Sequence, residues 1–263
     1  MTTPFIKAHG AGNDFLLTWI EDAPPGGFPA LARAICSRHT GIGADGWMLV
    51  DARASADPSI RLFNADGSEP EISGNGTRCA AALLYHSGKA TEDEVRIRTG
   101  AGLKELKLLE RHGLLYTFEM NMGQPVDRGP RRIATPFGEI EATLLDVGNP
   151  QAAVLCPEFP ANWREIGAEI ERHPMFPNRT NVSFVRALDE HTIDVLFYER
   201  GVGETMSSGT GSTGAAAAAI FRGVAKSPVR VVTPAGDLQF RWTDSAWLTG
   251  PAEIVGAGEY FAP

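Results

Sequence analysis

A chain of 263 residues can bury one large core or two smaller ones. With 43% hydrophobic and 21% charged residues it has the composition of an ordinary soluble globular protein. A formal net charge of -8 opposes wrapping a polyanion or settling on an anionic membrane, so neither nucleic acid nor a membrane is expected as a partner.

The N-terminal stretch MTTPFIKAHGAG lacks a basic segment leading into a long apolar run, so no secretory signal is expected. A first helix is expected over Phe28–Ser37, behind Pro24 and Pro25. A glycine-rich turn beginning at Ser73 leads into an alanine-rich segment, which predicts a helix over Thr77–Ser87. Residues 95–109 and 114–122 alternate apolar with polar side chains, as half-buried antiparallel strands do. A further helix is expected over Ala161–Arg172 and a strand over 191–198. A second alanine-rich helix, Ser212–Arg222, and strands within 229–242 complete the series. The longest strongly apolar stretch, Ala215–Phe221, is far too short to span a bilayer. Cys36, Cys79 and Cys156 are odd in number and widely spaced, which argues against a disulfide framework and fits a reducing cytoplasm. No close metal-ligand spacing occurs among cysteines and histidines, so no metal site is expected.

The chain repeats itself weakly at an offset of about half its length. VRIRTGAGLKEL from Val95 answers VRVVTPAGDLQF from Val229: each reads as a strand, a Thr-x-Ala-Gly turn and a second strand. SGNGTRCAAALL from Ser73 answers SGTGSTGAAAAAI from Ser208. RLFNADGSE from Arg61 answers VLFYERGVGE from Val195, and Gly12-Asn13 answers Gly148-Asn149. Four matches in one order predict two similar domains, 1–120 and 121–263, with C-terminal residues packing back on the first. The expected class is α+β: two pseudo-symmetric halves, each a mixed, mostly antiparallel sheet wrapped around a central helix.

A glycine-rich turn into a helix presents backbone N–H groups and the positive end of the helix dipole, a place that binds phosphate or carboxylate. If two such loops face each other, a carboxylate fits between the helix ends while Ser73 and Ser208 flank its α-carbon. That geometry suits removal of a proton from one face and delivery to the other. Either loop taken alone reads equally as a serine N-cap followed by a turn.

At the level of motifs, KAHGAGNDF (7–15), HTGIGADG (39–46), FNADGSEPEISGNGTRC (63–79), GNP (148–150), RTNVSFV (179–185) and YERGVGETMSSGTGS (198–212) resemble diaminopimelate epimerase in the family's order and over nearly the whole chain. Proline racemases, hydroxyproline epimerases and phenazine-biosynthesis isomerases share that fold. The resemblance implies a cofactor-independent epimerase, in pairs as a homodimer, interconverting LL- and meso-2,6-diaminopimelate for lysine and cell-wall precursor synthesis. It also implies a thiolate and a thiol on opposite sides of the α-carbon, and the positions matching that catalytic pair are Ser73 and Ser208. Asn13, Asn64, Asn149 and Asn181 match positions that grip the distal groups of the substrate, and Glu199 and Arg200 match a pair near the same ligand. Gly74, Asn75, Gly209 and Thr210 match donors to the reacting carboxylate. Gln151 stands where the family usually has a histidine, and Gly46 where a glutamine is sometimes found. Cys79 matches a non-catalytic cysteine and reads as a core residue.

Serine at both catalytic positions changes the chemistry. A thiol with pKa of about 8.5 is brought to thiolate by a helix N-terminus. A hydroxyl is a far weaker acid, each pKa unit corresponds to about 1.4 kcal/mol, and a helix dipole supplies only about 0.3–2 kcal/mol. Three readings follow: an engineered double serine variant, serines assisted by another base or acting on a more acidic carbon, and a relative that binds an amino acid without converting it. Another isomerase or a dehydratase of the same superfamily is the alternative enzyme.

Overall fold

The computed structural model describes residues 2–53 and 57–261, which fall into two compact units: Met1–Met120 with Gly250–Pro263, and Asn121–Thr249. The first contains β1 (Thr2–Gly10), β2 (Asn13–Trp19), α1 (Phe28–Ile35), β3 (Gly46–Asp51), β4 (Ser59–Asn64), α2 (Gly74–His86), β5 (Glu94–Thr99), β6 (Gly102–His112) and most of β7 (Leu115–Gly123). Its strands are hydrogen-bonded in chain order, antiparallel except for parallel β2–β3 and β4–β5. The C-terminal residues Glu253–Phe261 pair antiparallel with β1, and Ile254 N donates to Leu114 O at 3.0 Å, so the strand path closes on itself.

The second unit uses the same sequence of pairings. Its elements are β8 (Val126–Thr135), β9 (Gly138–Asp146), β10 (Pro150–Leu155), α3 (Trp163–Glu171), β11 (Asn181–Asp189), β12 (Thr192–Glu199), β13 (Gly203–Thr205), α4 (Gly209–Phe221), β14 (Val229–Thr233), β15 (Gly236–Trp242) and the start of β16 (Ala246–Phe261). From β9 onward the ladder runs antiparallel to β10, parallel to β11, antiparallel to β12, parallel to β14, then antiparallel to β15 and β16, as it does from β1 to β7. The Thr-x-Ala-Gly turns correspond in detail. Thr99 Oγ1 donates to Gly102 O at 2.9 Å and accepts from Ala101 N; Thr233 Oγ1 donates to Gly236 O at 2.6 Å and accepts from Ala235 N. The expected strands 95–109 and 229–242 are thus two hairpins, β5–β6 and β14–β15.

Each sheet encloses one helix and carries another. α2 is buried from Gly74 to Tyr85 and α4 from Gly209 to Ala219. Alanine and glycine let the sheet approach the helix from every side, and a helix apolar all round is a buried one. α1 covers a cluster formed by Leu16, Ile35, Trp47 and Phe63, and α3 covers one formed by Ile133, Ile166, Ile170 and Phe184. Burial of each large apolar side chain contributes about 1.5–3 kcal/mol, and the buried indole N–H of Trp47 is satisfied by Thr18 Oγ1 at 2.9 Å. Among the described residues no helix is long and apolar enough to cross a membrane.

The two central helices begin earlier than glycine content suggests, at Gly74 and Gly209 rather than Thr77 and Ser212. Glycine costs about 1 kcal/mol against alanine inside a helix, but packing outweighs that propensity here. A Cβ on Gly76 would lie 2.7 Å from Met48 Cε and 3.3 Å from Phe15 Cζ; one on Gly211 would lie 2.8 Å from Phe197 Cδ1. The outer helices are shorter than expected, ending at Ile35 rather than Ser37 and spanning Trp163–Glu171 rather than 161–172.

Candidate active site

In the first unit Ser73 has an extended backbone (φ -126°, ψ 120°) and caps α2. Its Oγ accepts from Gly76 N at 3.1 Å, and its carbonyl accepts from Thr77 N at 2.8 Å and Thr77 Oγ1 at 2.7 Å. The cap satisfies one of the first-turn donors; the turn formed by Gly74 and Asn75 keeps the positive helix end that suits a carboxylate. Among the described residues no titratable side chain is bonded to the Ser73 hydroxyl. Asn75 lies beside Asn13, its Nδ2 3.4 Å from Asn13 Oδ1, and Asn13 Nδ2 donates to Asp45 Oδ2 at 2.7 Å. Asn64 closes the end of β4, its Nδ2 donating to Ser68 Oγ at 2.9 Å. Gly46 has no room for a side chain, since a Cβ would sit 2.9 Å from Leu62 Cδ1 and 3.0 Å from Phe63 O. Cys79 is fully buried, and burial pushes its thiol up to about 12, so it stays protonated at neutral pH and offers no base.

In the second unit Ser208 caps α4 with nearly the same backbone (φ -138°, ψ 125°) and accepts from Gly211 N at 3.0 Å. Here the hydroxyl also has a carboxylate: Ser208 Oγ donates to Glu199 Oε2 at 3.1 Å. The other carboxylate oxygen accepts from Thr205 Oγ1 at 2.7 Å, and the antiparallel pair β12–β13 brings the two residues near each other, with Glu199 opposite Gly203 and Thr205 opposite Phe197. Asn149 Nδ2 donates to Thr210 Oγ1 at 3.2 Å, which draws a β-turn asparagine to the first turn of α4 beside Gly209. Gln151 sits behind it, buried, its Nε2 donating to Asn149 Oδ1 at 2.7 Å. The glutamine is therefore a support for Asn149, packed against Gly214, and supplies no acid or base. Asn181 Oδ1 accepts from Arg200 N at 3.1 Å while its Nδ2 donates to Pro150 O, and Arg200 Nη1 donates to Asn178 O.

The second unit thus brings together Asn149, Asn181, Glu199, Arg200, Ser208, Gly209 and Thr210, and the first brings Asn13, Ser73, Gly74 and Asn75 together, with Asn64 placed at the neighbouring strand end. Two contributors escaped the sequence reading. Thr205 orients Glu199 and Asp45 orients Asn13; both lie inside the quoted motifs, but the bonds that give them meaning cross a strand pair or 32 positions of chain. Glu171 was likewise missed: it is buried, pairs with Arg179 at 3.0 Å and accepts from Gly201 N, which pins the turn after Arg200.

One half-fold used twice, each time around a helix whose N-terminus is capped by a serine, defines an isomerase-type protein of two repeated halves. The same fold is seen in a phenazine biosynthesis protein of the PhzF family from Bacillus anthracis, with a TM-score of 0.75 at 14% identity over 100% of each chain. The sequence model of the diaminopimelate epimerase family matches residues 5–127 and 143–255. Diaminopimelate epimerases from Pelotomaculum thermopropionicum and Moorella thermoacetica are 39% and 37% identical, each over 97% of this chain and 98% of the relative. The chain belongs to the diaminopimelate epimerase family.

Proposed function

We propose that the protein is an isomerase that interconverts LL- and meso-2,6-diaminopimelate without a cofactor. Family membership and the retained asparagine set support the substrate, and Ser208 bonded to Glu199 is the observation that carries the chemistry. A serine hydroxyl has one hydrogen and two lone pairs. At Ser208 the hydrogen is engaged by Glu199 and one lone pair by Gly211 N–H, which leaves one lone pair for an incoming proton. In the proposed step the Cα–H bond breaks, its proton moves to Ser208 Oγ, and the original hydroxyl proton moves to Glu199 Oε2. The electron pair delocalises into the substrate carboxylate, stabilised by a helix N-terminus. Carboxylates do act as bases toward carbon acids, so Glu199 supplies what the hydroxyl alone lacks. In the two-base scheme that the family resemblance implies, Ser73 gives the second proton and is reprotonated by water, and the hydroxide so formed takes the proton held by Glu199.

A second reading is favoured by one observation: among the described residues Ser73 has no titratable partner, and a single backbone N–H with a helix dipole of about 0.3–2 kcal/mol is too little to stabilise the alkoxide left after it donates. On that reading the protein binds diaminopimelate and exchanges its α-proton on one face without inversion. On the first reading the protein serves lysine and cell-wall precursor synthesis. A cytoplasmic setting is supported by three free thiols, Cys36, Cys79 and Cys156; a homodimer is the assembly that the family resemblance implies. Proton NMR of LL- and meso-diaminopimelate in deuterium oxide tests the pair. Loss of the α-proton with appearance of the other isomer supports epimerisation; loss with retained configuration supports one-faced exchange. Absence of binding overturns both.

A further inference from the structure

Arg78 is the charged residue that neither the family reading nor the proposed chemistry uses. It lies in the second turn of α2, fully buried, and among the described residues no carboxylate is bonded to it. Its Nη2 donates to Asn75 Oδ1 at 2.6 Å and its Nε to Pro251 O at 3.1 Å. An uncompensated buried cation is costly; burial alone pulls its pKa down to about 10.

The chemistry of the two ends gives this chain of contacts a direction. A guanidinium can only donate, so Asn75 must turn its carbonyl oxygen toward Arg78 and its amide nitrogen toward Asn13. At the far end a carboxylate can only accept, so Asn13 must turn its nitrogen toward Asp45 Oδ2 and its oxygen toward Asn75. Asp45 is held in turn by Arg38 Nη2 at 2.8 Å and Asp14 N at 3.1 Å. Reversal of either amide would set two donors or two acceptors against each other.

We infer that Arg78 and Asp45 are positioning residues: as donor-only and acceptor-only ends of one hydrogen-bond chain, they fix the orientation of the Asn75 and Asn13 amides and so the ligand group that Asn13 accepts. Fixed this way, Asn13 keeps one amide hydrogen beyond the one given to Asp45, available to a ligand oxygen. The selected group is therefore an acceptor such as a carboxylate, and a reversed chain would favour a donor such as an ammonium. The link to diaminopimelate rests on the proposed function; the orientation of the chain does not.

A polarity-reversal cycle tests this, with urea unfolding of the ligand-free protein and calorimetric titration of LL-diaminopimelate as separate readouts. Asn75→Asp keeps the bond from Arg78 and gives that cation a carboxylate, but sets an acceptor oxygen against Asn13 Oδ1, so its unfolding midpoint should lie below that of the double variant, which carries the same ion pair without the clash. Asp45→Asn alone should also lower the midpoint, because an amide that keeps its oxygen toward Asn13 turns its nitrogen against Arg38 Nη2. Together the two substitutions permit the whole chain to reverse at unchanged net charge: Asn13 then donates to the carboxylate introduced at position 75 and accepts from the amide introduced at position 45. The double variant should regain most of the lost stability, while affinity for LL-diaminopimelate stays at least about tenfold weaker than in the unaltered protein, since paired sites couple by amounts of that order. Additive stability losses would overturn the fixed orientation. Recovery of affinity together with stability would overturn its role in ligand choice. If the unaltered protein does not bind diaminopimelate, the substrate reading fails while the stability arm still decides the orientation.

Discussion

The loops before α2 and α4 have the same backbone and different chemistry. Both serines cap their helices, and their bonds to the second glycine of the loop differ by only 0.1 Å, 3.1 against 3.0 Å. Ser208 is buried and bonded to a carboxylate, whereas Ser73 is half-buried and, among the described residues, has no titratable group on its hydroxyl. The contrast shows that duplication maintains a serine-capped helix end through backbone geometry, while among the described residues the carboxylate partner of the hydroxyl, on which the proposed proton transfer depends, is placed in the second half alone. Glu199 comes from β12, whose counterpart in the first half is β4 and ends in Asn64, an amide that cannot take a proton.

The largest expected effect breaks the inequality. Ser73→Cys adds a group that a helix N-terminus can ionise on the deficient side, and should raise the rate of isomer interconversion by about 10²–10⁴, the range of one well-placed acid or base. Ser208→Cys should raise it less, because that side already has Glu199. Chiral chromatography of the product mixture ranks the two, and a larger gain from Ser208→Cys would show that Glu199 does not act as a base. Glu199→Gln should next slow α-proton exchange by about 10²-fold while leaving the Ser208 cap in place, so unfolding and exchange separate. Equal exchange rates in the two proteins would move the base elsewhere.

A smaller difference is expected in stability. Ser73→Ala removes a cap and should cost about 0.5–2 kcal/mol. Ser208→Ala removes a cap and also a donor to a carboxylate, a bond of about 1.5–3 kcal/mol, so its urea midpoint should fall further. Matching midpoints would mean that Glu199 finds an equal partner without Ser208.

The repeated features are legible in sequence because they are local. The Ser-Gly-x-Gly caps and Thr-x-Ala-Gly turns each complete their hydrogen bonds within four residues, so residue type and spacing suffice. Helix starts are less legible because the intrinsic cost of glycine counts against Gly74 and Gly209, and the Phe197 ring that crowds any side chain at Gly211 comes from a distant strand. The same limit hides the site's second layer. Nothing in GNGTRC says that its arginine is fully buried on Asn75 and Pro251, and nothing in GIGADG says that its aspartate holds Asn13.

Those glycines give the finest comparison. At Gly76 the atom closest to an added Cβ is Met48 Cε, the far end of a flexible side chain, with Phe15 Cζ next at 3.3 Å. Methionine can move aside, and alanine recovers up to about 1 kcal/mol of helix propensity, so Gly76→Ala should be close to neutral in urea unfolding. At Gly211 an added Cβ meets the Phe197 ring at 2.8 Å and the Cβ and Oγ of Ser208 at 2.9 Å. A ring packed between sheet and helix cannot yield as a methyl end does, so overpacking should cost about 1–3 kcal/mol. It should also displace the Ser208 hydroxyl from Glu199, lowering α-proton exchange in Gly211→Ala beyond any change in Gly76→Ala. Equal responses in both assays would mean that the two helix ends yield alike, and that the second is no more tightly built around its carboxylate than the first.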